Sequence, residues 1–170
     1  MKKILSLFIT AIVLTSCNTS IESEKIAGKW LLDDSRFEKG YMAGDQKDYD
    51  LVKQFLDAYE NMDPQGMVDL SAETVKFHPA DAAGVFDVDM TNTDFIVERQ
   101  SNWDSISRNY IFIMPLKMED SKNRVVTTAF TETRYVKDGT SESINFYERL
   151  YINEQDQIMR VVQYSRPPND

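Results

Sequence analysis

The chain reads as an α+β domain, with helices gathered in its first half and strands in its second. Three observations carry that reading. From Ser107 to Arg166 apolar residues alternate with polar or small ones almost without a break, the pattern of strands whose side chains point to opposite faces. Turn-forming stretches at Glu119–Asn123, Lys137–Thr140 and Asn153–Asp156 divide that region into four runs, so a four-stranded antiparallel meander is expected. Between Asp48 and Met62 the apolar residues Leu51, Val52, Phe55, Leu56, Tyr59 and Met62 instead keep the spacing of one helix face.

A chain of 170 residues with 42% hydrophobic and 11% aromatic content has enough apolar surface for one folded domain, which excludes a disordered chain. Its formal net charge of −9 would be repelled by a phosphate backbone, so nucleic acid is excluded as a partner.

Residues 1–16 form a targeting leader. Lys2 and Lys3 supply its basic start, and Ile4 to Leu14 its apolar stretch, too short to span a bilayer. Leu14-Thr15-Ser16-Cys17 resembles the lipobox of bacterial lipoproteins, whose cysteine is acylated and becomes the first residue after cleavage. The resemblance implies a cell-envelope protein held to a membrane by acyl chains on Cys17. Losing Lys2 and Lys3 with the leader would take the charge from −9 to −11. Cys17 is the only cysteine, which leaves no intrachain disulfide and no thiolate catalysis. Residues 17–25 are read as the lipidated cysteine and a tether, and 26–170 as the folded domain.

Within that domain, residues 26–44 form an extension of undetermined role. Gly28-Lys29-Trp30 with Leu31 and Leu32 can open a strand, and Gly-x-Trp is similar to the start of lipocalin-like barrels, but the helical spacing that follows argues against a barrel. Asp48 is expected to cap the first helix. Asp63-Pro64 starts a second, short helix with Asp at the cap and Pro at its first position. Thr74 to Phe77 makes a brief strand, Ala80 to Met90 a loop. Thr91-Asn92-Thr93-Asp94 is a capping box for a third helix through Phe95, Ile96 and Trp103.

Asp138-Gly139 reads as a two-residue hairpin turn, because Gly supplies positive φ cheaply. Counting back places Ala129 opposite Glu148 and Phe130 opposite Tyr147. One face would then carry Thr127, Ala129, Thr131 and Thr133 with Phe146, Glu148 and Leu150, and is assigned to a pocket. The other would carry Val126, Phe130, Tyr147 and Tyr151 and meet a partner subunit. A one-residue slip exchanges these roles.

The order of elements, with Asn61-Met62-Asp63, Gly66-Met67-Val68-Asp69-Leu70, Phe77-His78-Pro79, Phe146-Tyr147-Glu148-Arg149-Leu150 and Ile158-Met159-Arg160-Val161-Val162, resembles the nuclear transport factor 2-like superfamily. The SnoaL-like and ketosteroid-isomerase branches are included in that likeness. It implies a curved antiparallel sheet wrapped around three N-terminal helices, a cone-shaped pocket, and a homodimer formed through the outer sheet face. Where the isomerase branch holds a Tyr, an Asp base and an Asp acid, this chain has Phe55, His78 and Glu148. The phenol donor is absent at Phe55, so half of a two-donor oxyanion hole is missing.

The function expected is binding of a small apolar or amphipathic molecule, or of a protein partner, without turnover. Phe55, Tyr59, Trp103, Tyr110 and Thr131 are the expected ligand contacts. The alternative is a SnoaL-like enzyme of isomerase, cyclase or dehydratase type, with His78 as base and Glu148 as acid. A third reading is a dimeric assembly piece whose pocket is filled by side chains. No phosphate loop, nucleophile elbow, His-Glu-x-x-His or Cys-x-x-Cys is present, and no cofactor is expected. Asp81, Asp87, Asp89 and Asp94 lack the spacing and glycine of a calcium loop, so they read as solvated loop residues rather than a metal site.

Overall fold

The computed structural model describes residues 25–122 and 124–168, so the leader and the acylation expected at Cys17 lie outside the described residues. Eight strands and three helices follow in the order β1 (Gly28–Lys29), β2 (Gly40–Ala43), α1 (Gln46–Glu60), α2 (Pro64–Asp69), β3 (Ser71–His78), β4 (Phe86–Asp89), α3 (Asp94–Gln100), β5 (Trp103–Met118), β6 (Arg124–Val136), β7 (Ser141–Ile152) and β8 (Ile158–Arg166). All eight strands join one sheet, in the order β1-β2-β5-β6-β7-β8-β3-β4. The four long strands form the expected antiparallel meander, but the sheet is mixed, because β3 pairs with β8 in parallel.

The helices sit where apolar spacing puts them, with two changes at their starts. The N-cap position of α1 is held by Asp45, not Asp48, and its side chain makes no capping bond. Asp48 is buried within the first turn and accepts a 2.8 Å bond from Arg124 Nη1, so its carboxylate serves an ion pair across the core instead of a cap. Asp63 caps α2 as expected, accepting from Gly66 N at 2.9 Å with Pro64 first in the helix. The capping box before α3 does not form: Thr93 makes no side-chain bond there, and Asn92 Oδ1 instead accepts from Asp94 N at 3.0 Å. Trp103 is not part of α3; it opens β5.

The β6–β7 register differs by one residue from a two-residue turn. Val136 N bonds to Thr140 O, so the loop holds three residues, Lys137, Asp138 and Gly139, with Gly139 at φ +88°. Thr128 therefore faces Glu148, Phe130 faces Phe146, and Glu132 faces Ile144. Strand β7 keeps its assigned face, and β6 is turned over. Val126, Thr128, Phe130 and Glu132 are buried on the helix side, whereas Thr131 lies on the opposite face and donates to Asn145 Oδ1 at 2.7 Å. A second slip occurs in β5, where the register shifts between Tyr110 and Phe112. This bulge leaves Ile111 69% exposed and reverses the parity, so Tyr110 stacks on buried Phe130 while Phe112 and Met114 emerge on the outer face.

Helix α1 packs on β5 and β6, and its buried Val52, Phe55, Leu56 and Tyr59 join Val126, Leu150, Ile158 and Val161 in one core. The extension closes the other side. Tyr41 pairs with Met118 on the outer face, its hydroxyl accepts from Arg149 Nη2 at 3.2 Å, Trp30 meets the Tyr41 ring edge-on at 6.4 Å, and Arg36 lies 4.0 Å over Trp30. Beneath it Met118, Val125 and Thr127 are buried although they point away from the helices. Among the described residues, no helix is long and apolar enough to cross a membrane.

Candidate functional site

A cavity of about 70 Å³ lies between the helices and the inner sheet face. Helix α1 contributes Phe55, Leu56 and Tyr59; β3 contributes Ser71, Val75 and Phe77; α3 contributes Phe95, Ile96 and Arg99. Alternation places these strand residues inward. Val75 and Phe77 are buried, while the intervening Lys76 is exposed. Half-buried Phe95 and Arg99 mark the solvent side, where Arg99 lies 5.1 Å over the Phe77 ring and 3.5 Å from Asp81.

The polar end is built by three long strands, each presenting one polar side chain at an otherwise apolar inward position. Arg108 of β5, Glu148 of β7 and Gln163 of β8 all reach the cavity. Glu148 is 2% exposed and accepts from Gln163 Nε2 at 2.6 Å. Burial raises its pKa above the ordinary carboxyl range, and the nearby Arg108 charge only partly opposes that. Among the described residues the other amide atom, Gln163 Oε1, is buried without a hydrogen-bond partner.

Arg108 is held from behind. Its Nε and Nη2 donate to Glu132 Oε2 at 2.8 and 2.6 Å, and its guanidinium is sandwiched between Tyr59 and Phe130 at 4.6 and 4.5 Å. Glu132 also accepts from Arg134 Nε at 2.6 Å, so its carboxylate balances two cations. The Tyr59 phenol, buried beside this network, has its pKa pushed up to about 12, chiefly by desolvation.

Of the residues expected at a site, Phe55, Tyr59 and Glu148 come together at this cavity. His78 does not join them. It pairs with Val162 on β8, whereas its neighbour Phe77 pairs with the inward Val161, so His78 faces the outer side of the sheet. Its pKa is lowered by burial first and then by Arg160 and Lys76. Trp103 packs under Arg134 at 4.3 Å, Tyr110 packs on Phe130, and Thr131 is on the outer face; none of the three lines the cavity. The loop aspartates are separately engaged: Asp87 with Lys76, Asp81 with Arg99, and Asp89 with Thr91 and Asn92. Among the described residues no three His, Cys, Asp or Glu side chains converge to hold a metal ion.

Gln163, Arg108 and Arg99 were not expected at the site. The signal for the first two is a polar residue at apolar parity, in Ile106-x-Arg108-x-Tyr110 and Val161-x-Gln163. Arg99 had no such signal, because its place depends on how α3 meets the sheet.

No protein-family profile and no curated sequence matches the chain. Solved structures do. A SnoaL-like polyketide cyclase from Shewanella denitrificans superposes with a TM-score of 0.55 at 9% identity, covering 72% of this chain and 92% of the other. The chain has the nuclear transport factor 2-like fold. A protein described by that fold name, from Burkholderia pseudomallei, superposes at 0.53 with 12% identity, over 72% of this chain and 92% of that one. An LEH-like epoxide hydrolase from M. tuberculosis also gives 0.53 at 12% identity, over 71% and 83%. At such identities the nuclear transport factor 2-like likeness fixes architecture and leaves chemistry to the residues in the cavity.

Proposed function

We propose that this protein is a lipid-anchored envelope protein whose cone-shaped pocket, between helices and sheet, binds a compact amphipathic molecule without turning it over. The observation that carries the reading is the unpartnered Gln163 Oε1 beside Glu148, at the polar end of an apolar cavity. A buried acceptor left without a donor is costly, and a ligand N–H or O–H would relieve that cost. The volume limits the ligand. About 70 Å³ is half of the roughly 150 Å³ engineered cavity that holds benzene, so it accepts a molecule of few atoms or the tip of a larger one.

The position of His78 favours binding over turnover, because it leaves Glu148 without a second acid–base group of that kind in the cavity. One observation favours a catalytic second reading. A carboxyl whose pKa is raised by burial, beside a fixed guanidinium, is suited to proton donation, and solved structures of the same fold include proteins named as a cyclase and an epoxide hydrolase. In that reading Glu148 alone is the acid.

Two further parts of the proposal concern partners. Acylation of Cys17 would anchor the domain, and mass spectrometry of the N-terminal peptide from membrane-extracted protein would show it. A homodimer would use the outer-face aromatics Phe112, Tyr147 and Tyr164, whose rings run in sequence at 6.3 and 6.4 Å and are 38%, 42% and 60% exposed.

Ligand-observed NMR with a library of small amides, alcohols and amines tests the pocket. Hits that bind wild type and lose about tenfold or more in affinity in Gln163→Leu are expected, since removing the acceptor forfeits a buried hydrogen bond. Hits unaffected by Gln163→Leu and by Glu148→Gln would contradict the reading. Turnover of a hit that disappears in Glu148→Gln would replace binding with the catalytic reading.

A further inference from the structure

The outer sheet face carries two arginines that meet no anion among the described residues. Arg149 of β7 stands directly opposite Val162 of β8, and Arg160 lies two residues before Val162, so the pair is diagonal on neighbouring strands and projects from the same face. Both guanidiniums lean on one ring: Arg149 is 5.6 Å and Arg160 5.2 Å from the centroid of Tyr151. Ring contact attracts a cation without satisfying its N–H groups. The Nε of Arg149 and the Nε of Arg160 are both buried without a hydrogen-bond partner. Arg149 spends one Nη2 on the Tyr41 hydroxyl, and neither arginine forms an ion pair among the described residues.

The neighbouring strand β3 brings Lys76 and His78 alongside, the first already paired with Asp87. On the adjacent strand Lys76 pairs with Arg160 in register and His78 with Val162. Asp87 across β3 is already held by Lys76 at 3.0 Å, and Asp34 in the extension by Arg36 at 2.6 Å. In a chain of net charge −9 carboxylates are plentiful, yet among the described residues none is paired with either arginine. Charges beyond roughly 8–10 Å are screened at physiological salt, so the local cations, not the net charge, decide what this spot attracts.

Two half-buried guanidiniums beside one ring, each with an unspent buried Nε–H, offer the kind of donors with which arginine binds oxoanions. We infer that Arg149 and Arg160 form a site for a phosphate-type oxoanion on the outer face of the sheet, separate from the cavity. The phosphate can belong to a soluble molecule or to a lipid headgroup. The extension borders the site through the Tyr41 hydroxyl and carries exposed Leu31, Leu32 and Phe37.

NMR of the arginine Nε–H signals in the purified protein tests the inference, with inorganic phosphate as titrant. The signals of Arg149 and Arg160 are expected to shift together and saturably, while those of the already paired Arg108 and Arg134 stay in place. Arg149→Gln and Arg160→Gln should each weaken phosphate binding about tenfold or more, and Arg160→Lys, which keeps the charge and loses the fork, should weaken it less. Sedimentation with phosphatidylglycerol–phosphatidylcholine vesicles separates the sources. Arginine-dependent vesicle binding assigns the site to headgroups, and phosphate binding without it assigns a soluble phosphate. Absence of any phosphate-dependent shift at the two Nε–H groups in the unmodified protein overturns the inference, however the variants fold.

Discussion

Glu148 is buried against an amide, with no cation bonded to it among the described residues. Its folded pKa lies above the unfolded value of 4.5, so the native state holds the proton more tightly. The stability this contributes at low pH is therefore lost as pH rises from about 4.5 through the folded pKa. One such group changes the slope by at most about 1.4 kcal/mol per pH unit. Urea unfolding across that window should show a smaller fall for Glu148→Gln than for wild type; equal slopes would contradict a carboxyl whose pKa burial raises. Glu132 is a different case. At 1% exposure it balances Arg108 and Arg134, so Glu132→Leu strands Arg108 in the core and leaves Arg134 with Glu142 alone. A loss of about 3–5 kcal/mol in urea unfolding is expected, and a loss below about 1 kcal/mol would show that the pair is dispensable.

At the scale of elements, the loop between β6 and β7 sets which residues face the cavity. Gly139 sits at φ +88° with nothing within 4 Å of where a Cβ would stand, so Gly139→Ala meets no clash and tests backbone strain alone. It should cost about 1–2 kcal/mol by thermal or urea unfolding, and no cost would contradict the left-handed loop. This loop also explains what the sequence disclosed and withheld. The four long strands and their turns were legible because alternation and turn residues are local signals. The register was not, since Asp138-Gly139 serves a two-residue and a three-residue loop equally well, and the extra residue carried Thr131 to the outer face. Strand β4 and the two strands of the extension are too short to show alternation. The parallel pairing of β3 with β8 joins segments about eighty residues apart, which no local pattern encodes. The same limit hid Arg99 from the candidate site and set His78 on the opposite face from Glu148.

At the scale of the whole molecule, each face of the sheet has its own cover. The helices close the inner face except for the cavity. The extension covers the outer face over Met118, Val125 and Thr127, and the aromatic row of Phe112, Tyr147 and Tyr164 remains open. If that row is the homodimer contact, sedimentation of Tyr147→Lys should show a monomer where wild type is dimeric; a wild-type monomer would remove the dimer from the account. The central claim is that the space above Glu148 and Gln163 is a place for a ligand and not a packing remnant. Methyl NMR on the protein labelled at Val and Met reports it most directly. Titration with a small amide or amine should shift Met67, Val75, Val88, Met90 and Val161 together, saturably, and with little movement of Met118 or Val125 on the far face. Cavity methyls that stay fixed at saturating fragment, or that shift no more than those of the far face, would contradict it.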